Sequence, residues 1–241
     1  MADVQTGLVL IPGFMTDETL WQYIQPTLEK IMPVTAADYG AGSTIESMAQ
    51  HVINLCPPRF VLLGFSLGGY IAREVVYNIP DRVAGLVLIA TSARPDSLEQ
   101  NKRKSAAALA SNPAGHFGGL SRSSIAASLH PARARDDALI ENIRAMGQRL
   151  GQDAFMRQSA VGRSDDRTRI NSLHCPTLVI AAADDKLRTL DEARELQNGI
   201  SGASLEIIEA SGHMIPLEQP QKLLHIITPW LQSRLTQGTA T

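Results

Sequence analysis

The chain has 241 residues, 44% of them hydrophobic and 19% charged, with a formal net charge of −2. That balance suits one globular domain, or one carrying an insertion, and excludes a chain-wide electrostatic case for nucleic acid. Two cysteines, Cys56 and Cys175, make no disulfide framework, and no apolar run reaches the roughly 18 residues of a membrane span. The start of the chain lacks the basic and then apolar stretch of a signal peptide, so a cytoplasmic protein without a membrane partner is expected.

Gly7–Ile11 reads as a buried strand ended by Pro12-Gly13. A helix is predicted over about Glu18–Ile31, then a weaker strand over Pro33–Asp38 and a turn at Gly40-Ala-Gly-Ser43. Ser43 is the expected N-cap of a helix to about Cys56, with Glu46 completing a capping box. Phe60–Gly64 is the next strand, Leu67–Tyr77 the next helix, and Val83–Ala90 another near-continuous apolar strand. Such runs are typical of strands covered on both faces in a parallel sheet, and their alternation with helices predicts an α/β fold.

The alternation stops from Thr91 to about Ser172, where only helical stretches are read, near Asn101–Ala110, Ser123–Leu129 and Asp136–Leu150. It resumes with a strand at Thr177–Ala182, a helix at Thr189–Asn198, a strand at Ser204–Glu209 and a last helix at Gln219–Leu235, followed by a frayed tail. The expected organisation is an α/β core of residues 1–91 and 173–241, interrupted by a helical insert of residues 92–172 after the strand near 83–90. Charge divides the same way. Thr91–Ser172 carries 13 Lys and Arg against 8 Asp and Glu, the remainder 9 against 16. Either the insert simply presents a solvated basic surface or it faces an acidic substrate or carrier. The candidate contacts are Arg122, Arg133, Arg135, Arg144, Arg149 and Arg157.

Gly64-Phe-Ser66-Leu-Gly68-Gly69 fits G-x-S-x-G between a strand and a helix. That setting exposes a serine hydroxyl at the carboxyl edge of the sheet, at the N-terminus of the following helix. A serine hydroxyl needs a base. Of six histidines, His213 stands on the turn-rich loop after the last strand. His225 falls inside the last helix, His51 in a helix and His174 before a strand; His116 and His130 read as surface residues of the insert. A base needs an acid to fix its tautomer, and Asp184-Asp185 follows the strand Thr177–Ala182. Asp185 is better placed, with Asp184 as the alternative. The order Ser66, Asp185, His213, each past a different strand, is diagnostic beside G-x-S-x-G. The oxyanion needs two N–H donors. Leu67 supplies one. Phe14 is the best second donor after Pro12-Gly13, with Met15 behind it. No His/Cys spacing suggests a zinc site, and no metal or cofactor is expected.

These residues resemble the α/β-hydrolase superfamily along nearly the whole chain. Leu8–Phe14 looks like its first strand and oxyanion turn, Gly64–Gly69 like its nucleophile elbow, Pro176–Asp185 like its acid strand, and Ser211–Pro220 like its histidine segment. The insert takes the place of the cap domain. Within the superfamily the chain is similar to small carboxylesterases, enol-lactonases, perhydrolases and pimeloyl-acyl-carrier-protein methyl ester esterases. It departs from the common pattern in Pro12-Gly13 for His-Gly, in a short Asp38–Ser43 loop and in Ala182 for glycine. The resemblance implies hydrolysis of a small ester or acyl substrate, free or carrier-bound, by a serine nucleophile. C–C or amide hydrolysis by the same triad, or a noncatalytic ligand-binding role, are the alternatives. The serine argues against epoxide hydrolases and haloalkane dehalogenases, which use aspartate there.

Overall fold

The computed structural model describes residues 5–102 and 117–236. Six strands form one sheet: β1 (Gly7–Ile11), β2 (Val34–Ala36), β3 (Phe60–Phe65), β4 (Val83–Ile89), β5 (Thr177–Ala182) and β6 (Ser204–Ile208). Their order is β2-β1-β3-β4-β5-β6, and each neighbouring pair is parallel. The predicted α/β architecture, a parallel sheet flanked by helices, is therefore correct. Strands β1, β3, β4 and β5 are buried at every position, whereas the edge strand β6 is mostly exposed.

Alternate side chains of the strands enter two apolar layers. Leu8, Leu10, Val61, Leu63, Val87 and Ile89 point into one, while Val9, Ile11, Leu62, Leu86 and Leu88 point into the other. The second layer is closed by α2 (Ile45–Leu55), α3 (Leu67–Asn78) and α6 (Leu190–Gly199). The first is closed by α1 (Gln25–Leu28), by α4 (Arg122–Ser128) and α5 (Asp137–Ala160) between β4 and β5, and by α7 (Ile215–Glu218) and α8 (Pro220–Thr236). Residues Ile125, Leu139, Ile140, Ile143 and Met146 of α4 and α5 thus share one apolar layer with the sheet.

Several predicted elements differ in detail. The single helix over Glu18–Ile31 is instead a 3-10 turn at Glu18–Trp21 followed by the one-turn α1. Pro26 is the cause: it has no N–H to donate and its ring opposes the carbonyl four residues back, so it sits in the first turn of a restarted helix. The N-cap of α2 is Thr44, not Ser43. Its hydroxyl accepts from Ser47 N–H at 3.1 Å, and Ser47 Oγ accepts from Thr44 N–H at 3.1 Å. A serine side chain thus completes the box in place of Glu46. The helix expected to end at Leu150 does break there, because Gly151 takes φ 80° and ψ 177°, but a further helical segment continues to Ala160. Residues 103–110 of the predicted Asn101–Ala110 helix, His116 and the tail at 237–241 lie outside the described residues. Among the described residues no helix is long and apolar enough to cross a membrane.

Candidate active site

All strands being parallel, their carboxyl ends lie along one edge, and the order β2-β1-β3 reverses the winding direction between β1 and β3. Crevices form outside such a switch point. Ile11 pairs with Gly64, so the chain leaving β1 runs directly beside the chain leaving β3. A Cβ on Gly13 would lie 3.2 Å from Ser66 Cβ, which puts the Pro12-Gly13-Phe14 turn against the serine.

Ser66 stands between β3 and α3 with φ 51° and ψ −111°, a conformation that L-residues rarely adopt. Holding a non-glycine residue there costs about 1–3 kcal/mol and persists only when the surroundings fix it. Its N–H donates to Ile89 O at 2.9 Å, and its carbonyl accepts from Thr91 Oγ1 at 2.7 Å and Gly69 N at 3.0 Å. Side chains are excluded around it. A Cβ on Gly64 would come within 2.5 Å of Gly68 O, and one on Gly68 within 2.3 Å of Ile11 O.

His213 follows β6. Its Nε2 lies 2.9 Å from Ser66 Oγ and its Nδ1 2.7 Å from Asp185 Oδ2. All three residues are at least nine-tenths buried, and the imidazole packs on the Phe65 ring at 5.1 Å. Asp185 uses its other oxygen to accept from Leu187 N at 2.7 Å and Arg188 N at 3.0 Å. Asp184 faces away, half exposed, with His130 Nε2 3.6 Å from its carboxylate. The structure brings Ser66, His213 and Asp185 into one hydrogen-bonded line and leaves Asp184 out of it. His51 pairs with Asp38, and His225 and His174 are exposed.

Two backbone N–H groups beside the serine, those of Phe14 and Leu67, have no hydrogen-bond partner among the described residues. The Met15 N–H is engaged, donating to the buried Gln158 Oε1 at 2.8 Å, which separates the two candidate donors of this turn. Met15 also takes a positive φ of 52°. The Gly13 carbonyl accepts from Tyr39 Oη at 2.6 Å, from Thr16 Oγ1 at 3.0 Å and from Thr16 N at 3.3 Å. Because C=O and N–H of one peptide point in opposite directions, anchoring this carbonyl fixes the direction of the Phe14 N–H. Burial pushes the Tyr39 phenol well above its ordinary pKa, so it remains a donor.

Phe14 and Met15 pack on Phe155, Ala154, Leu150, Leu120 and Phe117, an apolar roof contributed by residues between β4 and β5. The Phe14 and Phe155 rings are 5.9 Å apart. Beside the turn opens a cavity of about 420 Å³ whose lining includes Pro12, Asp17, Tyr39, Arg157 and Gln158. Sequence reasoning missed Tyr39, Thr91 and Gln158, whose partners are distant in the chain. Among the described residues no group of three His, Cys, Asp or Glu is placed to hold a metal.

Residues 8–226 match the model of the alpha/beta hydrolase family. The chain is 24% identical over 249 residues to the biotin biosynthesis bifunctional protein BioHC of Cellvibrio japonicus, covering 95% of this chain and 48% of that protein. It is 38% identical over 94 residues to a pimeloyl-[acyl-carrier protein] methyl ester esterase of Klebsiella pneumoniae, covering 35% of this chain and 36% of that enzyme. These alignments span less than half the length of either relative. Among solved structures, an esterase of Thermogutta terrifontis superposes with a TM-score of 0.82 at 27% identity, covering 95% of this chain and 90% of that one.

Proposed function

The chain belongs to the alpha/beta hydrolase family, and from that premise we propose that it is a serine hydrolase cleaving a carboxylic ester or thioester of a small acyl substrate through an acyl-enzyme. The observation that carries this reading is the unbroken line from Ser66 Oγ through His213 to Asp185, with contacts of 2.9 Å and 2.7 Å. Asp185 holds His213 as the Nδ1–H tautomer, which leaves Nε2 free to accept the serine proton. Ser66 Oγ attacks the substrate carbonyl as His213 takes that proton. The carbonyl oxygen becomes an oxyanion facing the Phe14 and Leu67 N–H groups, donors already fixed in direction before reaction. His213 then protonates the departing alcohol or thiol. Water, activated by the same histidine, hydrolyses the acyl-enzyme and restores the serine.

We assign residues 1–91 and 173–241 to the catalytic core and 92–172 to a cap. The roof that Phe117, Leu120, Leu150 and Phe155 place over the Phe14 turn supports this division. The printed names of the esterase relatives support ester hydrolysis, and the Klebsiella pneumoniae relative supports a carrier-bound acyl group as one substrate form. The test is a series of p-nitrophenyl esters of increasing acyl length, assayed with wild type and Ser66→Ala. Hydrolysis by the wild type and none above background by the variant is expected. Equal rates would refute the assignment.

A further inference from the structure

Glu218 is a buried titratable group with no part in the mechanism above. It ends α7, is 6% exposed, and among the described residues pairs with no cation. Arg133 Nη1 reaches its backbone carbonyl, at 3.5 Å, rather than forming an ion pair with the carboxylate. The carboxylate instead accepts backbone N–H groups, His130 on Oε2 at 2.7 Å and Met214 on Oε1 at 3.2 Å, and the Gly212 N–H favours its ionised form. Gly212 and Met214 are the two neighbours of His213. The His213 N–H itself donates to Ser128 O at 2.7 Å. The N–H groups of the base and of the residue after it are therefore committed to segment 128–130, between β4 and β5, and to Glu218. The contact is backbone-close, since a Cβ on Gly212 would lie 2.4 Å from His130 N and from Leu129 C.

Burying a carboxylate without a direct ion pair is costly, and burial raises the Glu218 pKa despite these N–H groups and the nearby Arg133 charge. An apolar side chain would fill the space more cheaply, but it could not accept from both sides. We propose that Glu218 is a positioning residue that pins the loop of the base His213 to segment 128–130, so that docking of the insert sets the Ser66–His213 distance. This rests on the reading of Ser66 and His213 given above. A carboxylate is acceptor-only at both oxygens, whereas an amide of the same size offers one acceptor and turns an NH₂ toward one of the N–H groups. Misplacing a reacting group by about 1 Å costs on the order of 10²-fold in rate.

The experiment compares wild type, Glu218→Gln and Gly212→Ala, the last of which pushes segment 128–130 away from the loop. Each is assayed for p-nitrophenyl acetate kcat and KM, for the rate of fluorophosphonate labelling at Ser66, and for Tm. The expected result is a kcat lowered by about 10²-fold at nearly constant KM. Labelling should slow in parallel, because it needs the base but not the substrate pocket. A purely structural role predicts a lower Tm with wild-type kcat well below it, and that result would overturn the proposal. So would a loss confined to KM, or a failure of both variants to fold. If only one folds, its kinetics decide. A wild type that neither hydrolyses the ester nor takes the probe would overturn the parent reading together with this one. An active wild type matched by active variants would overturn this one alone.

Discussion

Asp184 and Asp185 are chemically the same residue at consecutive positions, yet only one carboxylate reaches His213. The difference is the turn after β5, which points Asp185 inward to the imidazole and to the Leu187 and Arg188 N–H groups. Asp185→Asn should therefore cost on the order of 10⁴-fold in kcat, because the base is left in the wrong tautomer. Asp184→Asn should leave kcat within about threefold, as a surface substitution does. A parallel assay of both reads the ranking directly, and the opposite order would exchange their roles. A finer residue-scale effect belongs to Tyr39. Tyr39→Phe keeps the ring and removes one of three donors to Gly13 O, so kcat should fall by about tenfold while KM holds, the signature of a weakened oxyanion donor. A change in KM alone would move Tyr39 from the oxyanion turn to substrate binding.

Elements were legible in the sequence in proportion to how local their causes are. The β3–Ser66–α3 unit, β5 and the helix over Thr189–Asn198 are read within one residue of their bounds, since each is set by neighbours in the chain. The segment Glu18–Ile31 was misread because a single Pro26 outweighs an otherwise helical pattern. Gln158, Tyr39 and Glu218 carried no local signal. Their partners Met15, Gly13 and His130 lie far away in sequence, and only the folded chain supplies them. One such long-range tie joins elements outright. Asp17 caps the 3-10 turn through Thr19 and pairs with Arg149 of α5 at 2.7 Å. Partial burial alone would raise its carboxyl pKa, but hydrogen bonds from Arg149 and Thr19 outweigh that and hold it below the ordinary aspartate value of 3.8. A depressed folded pKa stabilises at neutral pH, and the contribution is lost as pH falls through it. Asp17→Asn should thus lower Tm at pH 7, with the gap to wild type narrowing in acid below the ordinary aspartate range. Thermal melts across pH check this, and a gap independent of pH would assign the effect to capping alone.

Over the whole molecule, the charge asymmetry of the sequence becomes specific once partners are visible. Arg122, Arg133 and Arg149 are held by Asp137, Asp136 and Asp17, and Arg144 by the Gly118 carbonyl. Arg135 is exposed, away from the cavity lining. Arg157 alone of the six lines the cavity beside the Phe14 turn, and no ion pair to it is formed among the described residues. That cavity is lined by neither Ser66 nor His213 and also carries Asp17, Glu18 and Asp38, so a role of Arg157 toward an acidic acyl group is a prediction to be tested. For an anionic acyl ester, kcat/KM should fall with rising salt and fall further in Arg157→Gln, while a neutral ester of similar size should respond to neither. Equal responses for both esters would leave the basic insert as a solubilising surface. The kinetic effects presuppose that Ser66 is the nucleophile. The most direct measurement is covalent: treat the native protein with a fluorophosphonate, then map the adduct by peptide mass spectrometry. One equivalent on Ser66, abolished in Ser66→Ala and strongly slowed in His213→Ala, is the predicted result. An adduct on another residue, or none on a protein that still hydrolyses esters, would contradict it.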